Sequence, residues 1–227
     1  MEENQQIDAP AAAENPETQV KRSRSKEFLK NKGAVIGLFI FFFWLIVVLF
    51  APHIAPYDPL ENVSLSKQAP SAEFLLGTDL LGRDVLSRVI YGGRISLMLG
   101  IISVILGAVP GTLLGLIAGY FGNKIDAVIM RFLDALLAFP GILLALVIIA
   151  AIGPSIQNVM IAVGISTLPQ YARLTRGSVL SVKETPYVEA ARVTGCSSWR
   201  IIFLHILPNC LAPLIVLSTL RIGNAIL

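Results

Sequence analysis

From Ala135 to Ala172 the chain carries no charged residue. Neither does Ile95 to Asn123, nor Gly33 to Ala51, "GAVIGLFIFFFWLIVVLFA". A helix crosses the hydrocarbon core of a bilayer with about 20 apolar residues. The first of these runs is too long for one crossing, and "GPS" at Gly153 to Ser155 divides it into a helical hairpin. Another apolar run starts near Cys210 and continues to Leu227. Spans are therefore expected at 33–52, 96–120, 127–152, 155–172 and 209–227. The fold class is all-α, a polytopic membrane helical bundle with five spans in this chain.

Composition excludes the alternatives. Hydrophobic residues make up 55% and charged residues 15%, against about 25% charged in soluble domains. Five apolar helices of a soluble globule would lack the polar surface to cover them. The run from Gly33 to Ala51 is longer than a signal-peptide core and starts after more than thirty residues. A net charge of +3 gives no argument for nucleic acid. The two cysteines, Cys196 and Cys210, fit neither a disulfide framework nor a zinc site and read as packing residues.

Lys and Arg set the orientation. Lys21, Arg22, Arg24, Lys26, Lys30 and Lys32 precede the first span, so that end is expected in the cytoplasm. Alternation then places Lys124, Arg173, Arg176, Lys183, Arg192 and Arg200 inside. Lys67, Arg83, Arg88 and Arg94 fall outside, set against five acids. Residues 1–20 are acidic and proline-dotted and read as a disordered cytoplasmic tail. Residues 21–32 form a basic juxtamembrane segment. Residues 53–95 form an extracytoplasmic loop with an amphipathic helix at 79–91, which lies on the membrane surface. Residues 96–227 form the core, with a cytoplasmic loop at 173–208.

Within the second span a small residue recurs every fourth place: Ser103, Gly107, Gly111, Gly115, Gly119. Such a stripe lets another backbone lie close, which is a main driving force for association in lipid. Pro110 is expected to bend this helix. Asp126, Arg131 and Asp134 have spacings that permit pairing along one helix. Arg221 lies about 18 Å into the last span by helical rise. An ionisable group at that depth faces protein or water; it either lines a path or pairs with an unseen helix.

The polar excursion "ETPYVEAARVTGCSSWRIIFLHILPN" reads as helix–turn–helix. Thr185 caps a first helix, Pro186 suits its first turn and Gly195 its end. Ser197 or Ser198 caps a second, which Pro208 breaks. Ala190 and Ala191 leave a nearly bare surface that another protein can approach closely. The chain has no G-x-x-x-x-G-K-[ST] stretch to cradle ATP phosphates. His53 and His205 are isolated, without ligand spacing.

These residues resemble a family. E-A-A-x3-G followed by L-P, here Glu189, Ala190, Ala191, Gly195, Leu207 and Pro208, is similar to the signature loop of binding-protein-dependent ABC importer permeases. His205 stands where the family pattern has isoleucine. "LFAPHIAPYDP", "GTDLLGRDVLSR", "GGRISL" and "HILPN" resemble the second membrane subunit of the dipeptide, oligopeptide and nickel branch.

The resemblance covers about residues 28–227. It implies a type I importer permease with six spans, the sixth absent here, so that the chain reads as C-terminally truncated. It implies a multi-pass protein of the bacterial inner membrane that imports di- or oligopeptides, or nickel or another small solute. The 185–208 loop would dock on an ATPase subunit. It implies no cofactor in this chain, with ATP and Mg on the partner. Two ATPase subunits, a homologous second permease and an extracytoplasmic solute-binding protein would complete the assembly. A membrane enzyme would need a cluster of catalytic side chains that the sequence lacks. An ion-coupled secondary transporter would need intramembrane acids, and only Asp134, near a span end, comes close.

Overall fold

A computed structural model describes residues 31–226; the 1–20 tail and the basic segment as far as residue 30 lie outside the described residues. Among the described residues the regular structure is helical: α1 (Lys32–Leu49), α2 (Val85–Phe121), α3 (Asn123–Leu137), α4 (Gly141–Ile152), α5 (Ile156–Val182), α6 (Pro186–Val193) and α7 (Leu207–Ile226). Short helical turns lie at Ala51–Ile54 and Ser198–Arg200, and a wider π-helical stretch at Ile201–Ile206. The chain divides into two compact units between Tyr91 and Gly92.

In the first unit, α1 is apolar on every side. Val48 is its one buried residue, while Phe39 is 70% exposed. That is the pattern of a helix solvated by lipid. Asn31 caps it, accepting from the Ala34 amide at 3.3 Å.

The amphipathic helix expected at 79–91 does not form as such. Helix begins only at Val85 and runs unbroken through Pro110 to Phe121, 37 residues. The cause is the turn built by "GTDLLGRD". Asp79 accepts from the Leu81 amide at 2.7 Å and the Arg83 amide at 3.0 Å. Its carboxylate also holds the Arg83 guanidinium at 2.9 Å and that of Arg88. Gly82 sits at φ +73°, where a Cβ would fall 2.0 Å from the Ser64 carbonyl oxygen. Asp84, buried, then accepts from the Ser87 amide at 2.8 Å and caps α2. Partial burial alone would raise the pKa of the Asp79 carboxyl. The amides of Arg83 and Leu81 and the two guanidiniums outweigh it and hold the group well below the usual carboxylate range.

In the second unit, the small-residue stripe of α2 packs against α5. A Cβ on Gly107 would fall 2.2 Å from Thr167 Oγ1, on Gly111 2.6 Å from the Leu168 oxygen, and on Gly115 2.4 Å from the Ala172 oxygen. On Gly119 it would lie 2.8 Å from Val179 Cβ. The expected span 127–152 is broken. α3 and α4 meet at 88° across a break at Ala138–Pro140. Pro140 lacks the amide that would continue the helix.

α5 does not end at 172 but continues to Val182. On this extension Arg173 and Arg176 each meet an acid of α3. Arg176 grips Asp126 through two bonds of 2.5 Å, and Arg173 reaches Asp134 at 2.5 Å. The acids of α3 thus pair across to α5 rather than with Arg131 along their own helix.

Among the described residues, three helical stretches are long and apolar enough to cross a membrane: α1, α2 and Ser198–Ile226. The count is four if the bent α3–α4 pair is one span. The expectation of five is not confirmed. α5, which carries Gln157, Asn158 and Gln170 in its apolar run, is not among them.

Candidate functional site

The polar excursion folds into α6, a tight turn, and the run-up to α7. Pro186 opens α6, where a missing N–H costs nothing. Thr185 occupies the cap position, but its hydroxyl does not cap the helix. It donates to the Val182 carbonyl at 2.6 Å, back into the end of α5. Glu189 lies in the first turn of α6 and Arg192 in the last, each matching the helix dipole. Gly195 ends it at φ +79°. The Gly195 amide donates to the Arg192 carbonyl and the Cys196 amide to that of Ala191, both at 3.1 Å.

One face of α6 is sunk into the protein. Val188 is 0% and Ala191 8% exposed, in a core cluster with Ile201, Ile202 and Ile206. The expectation that both alanines form an open surface is therefore corrected. Ala191 seats the helix, because its side chain falls on the same face as Val188, three residues earlier. The exposed face is Glu189 and Ala190, with Tyr187 and Val193 beside them; Val193 is 84% exposed.

Ser197 caps the next turn, accepting from the Arg200 amide at 3.4 Å. Pro208 does not break the chain there. Helical structure continues from Ser198 to Ile226. The backbone widens instead over Ile201–Ile206, and the Leu207 amide reaches back to the Ile202 carbonyl. Widening relieves the clash that a proline ring makes with the carbonyl four residues earlier. Leu207 packs on the core cluster and Pro208 is exposed.

Two residues outside the E-A-A-x3-G and L-P positions, Tyr187 and Asn209, bind the two halves together. Asn209 Nδ2 donates to the His205 carbonyl at 2.8 Å and to the Tyr187 hydroxyl at 3.0 Å. The Tyr187 hydroxyl donates to that same carbonyl at 3.4 Å. α6 is thus fixed to the start of α7 by a polar clamp as well as by its apolar face. The clamp depends on the π-helical register that brings His205 and Asn209 under Tyr187, and no spacing rule flags it.

Arg221 lies half-buried on α7, and its Nε has no hydrogen-bond partner among the described residues.

α6 is thus a short helix with one face buried in the bundle and the other exposed. Residues 111–227 match the family of binding-protein-dependent transport system inner membrane components. Residues 22–73 match the N-terminal transmembrane domain of oligopeptide transport permease C. The chain belongs to this family of inner membrane transport components.

It is 46% identical over 209 residues to a di/tripeptide transport system permease protein of Pseudomonas aeruginosa, covering 89% of this chain and 69% of that one. It is 47% identical over 207 residues to a dipeptide transport system permease protein of Alkalihalophilus pseudofirmus, covering 91% and 68%. A glutathione transport system permease protein of Pectobacterium atrosepticum is 42% identical, covering 89% and 68%. The protein is a multi-pass membrane permease subunit.

Proposed function

We propose that this chain is one of two transmembrane subunits of an ATP-driven importer of di- and oligopeptides. It lines half of the translocation pathway and couples to an ATPase through residues 185–208. Hydrolysis occurs on separate chains: the assembly holds two ATPase subunits, and the loop docks on one of them. A homologous permease supplies the other half of the pathway, and a solute-binding protein delivers peptide from outside. The loop and the N-terminus lie in the cytoplasm, a reading that the distribution of Lys and Arg supports.

The observation that carries this reading is the build of α6. Its inner face is anchored through Val188 and Ala191, and its outer face offers Glu189 and Ala190. A helix held in this way transmits a push to α5 and α7 without bending. The names of the relatives above supply the peptide class.

The test is disulfide crosslinking from Ala190→Cys in the assembled transporter, read together with uptake. A crosslink to the ATPase subunit is expected. Glu189→Arg is expected to lower ATP-driven peptide uptake on the order of tenfold with the membrane level of the chain unchanged. Full uptake in Glu189→Arg together with the absence of that crosslink overturns the reading.

A further inference from the structure

α4, α5 and α7 line a half-open pocket of about 450 Å³, within the size range of small-molecule sites. Ile142, Ala145 and Leu146 of α4 give it an apolar wall. Its polar groups converge from the other two helices: Ser166, Thr167 and Gln170 on α5, Arg221 and Asn224 on α7. Two of these present buried atoms without a partner among the described residues, Arg221 Nε and Gln170 Oε1. One is a donor that carries positive charge, the other a neutral acceptor.

An uncompensated guanidinium within a membrane bundle is expensive, so an anion belongs beside it. The second unit offers none to spare. Its four carboxylates are Asp126, Asp134, Glu184 and Glu189. The first two are engaged by Arg176 and Arg173. The other two flank the start of α6, and no acid lines the cavity. The anion therefore comes from outside this unit.

We propose that this cavity is a transit subsite for the terminal carboxylate of the transported peptide. Arg221 receives the carboxylate and the Gln170 carbonyl oxygen accepts from a peptide N–H, while the α4 wall accommodates side chains of varied shape. The proposal rests on the peptide-import reading above. The guanidinium is a contact made in passage: it draws free-acid peptides into the bundle and holds them weakly enough to leave.

The experiment uses the full-length chain in its assembled transporter in proteoliposomes. Cys196 is replaced by serine, and Ala145→Cys places a thiol on the cavity wall; Cys210 is fully buried. Modification rates are compared for an anionic and a cationic methanethiosulfonate of similar size. The anionic reagent is expected to react faster. Arg221→Gln is expected to remove that preference, a relative change of about tenfold, and Arg221→Lys to retain most of it. A dipeptide with a free carboxylate is expected to slow the labelling, and its C-terminal amide is not.

Three results overturn the proposal: a thiol inert to both reagents, which means that protein or lipid fills the cavity; a charge preference indifferent to residue 221; or equal protection by acid and amide. An Arg221 that pairs instead with a carboxylate of another chain or segment gives the first or second. Membrane level and basal ATP hydrolysis check that the variants assemble. If the unmodified transporter takes up no dipeptide on ATP, the import reading fails. If it does and labelling ignores residue 221, only the subsite fails.

Discussion

Asn209 Nδ2 lies 3.0 Å from the Tyr187 hydroxyl and 2.8 Å from the His205 carbonyl oxygen. One amide thus joins α6 to the turn that launches α7. Tyr187 lies outside the motifs and Asn209 closes "HILPN"; together they connect the exposed helix to the apolar stretch on its C-terminal side. Tyr187→Phe removes the hydroxyl and keeps the ring. It loses the 3.0 Å bond from Asn209 and the long 3.4 Å bond to the His205 carbonyl, and is expected to weaken the joint by about 1 kcal/mol. Asn209→Ala removes the two shorter bonds and is expected to do more. In a reconstituted transporter both lower the peptide moved per ATP hydrolysed while hydrolysis continues. Unchanged stoichiometry in Asn209→Ala means that the apolar face of α6 alone transmits the motion.

Gly115 and Gly177 separate close packing from helix propensity. A Cβ on Gly115 would lie 2.4 Å from the Ala172 carbonyl oxygen, whereas one on Gly177 meets nothing within 4 Å. Gly115→Ala is expected to force α2 and α5 apart and to destabilise by roughly 1–3 kcal/mol. Gly177→Ala is expected to be neutral or stabilising by up to about 1 kcal/mol. Thermal unfolding of the two variants in the same detergent compares them directly.

The two ion pairs between α3 and α5 should differ in strength. Asp126 and Arg176 make two parallel bonds, with side chains 19% and 34% exposed. Asp134 and Arg173 make one bond, at 56% and 54% exposure. A double-mutant cycle on Asp134 and Arg173 is expected to give a coupling below about 0.5 kcal/mol. The cycle on Asp126 and Arg176 is expected to give a larger one, because a bidentate, better shielded pair is less screened. Equal couplings would mean that geometry and exposure do not set the difference.

Asp79 makes the turn before α2 sensitive to acid. Its folded pKa lies well below the ordinary value of about 3.9. A depressed carboxyl stabilises the fold fully above the unfolded pKa. That contribution fades as pH falls below about 4 toward the folded pKa. The Leu81 and Arg83 amides, both bonded to this carboxylate, report it. Their hydrogen-exchange protection, corrected for intrinsic rates, is expected to hold from neutral pH to about 4 and to decline below. In Asp79→Asn that decline is expected to vanish; persistence of the same decline would assign it to another group.

Much of this protein is legible along the chain. The uncharged runs require lipid-embedded helices, because a backbone in hydrocarbon must satisfy its own hydrogen bonds. The spacing of Gly107, Gly111, Gly115 and Gly119 marks a face for close approach, since successive members rotate by only about 40° around a helix. Pro186 and Gly195 bound α6 for local reasons: one needs no amide, and the other tolerates positive φ.

The tertiary structure decided whatever depends on a distant partner. Ala190 and Ala191 are neighbours of the same type, yet one is exposed and the other buried, because only Ala191 falls over Ile201, Ile202 and Ile206. Asp126 pairs with a residue fifty positions away rather than with Arg131. Pro208 widens a helix instead of ending it, since the surrounding apolar core holds the chain in line. Local hydrogen bonding and periodicity act over a few residues and are written in the sequence; burial and charge pairing act through space, and only the packed helices fix them.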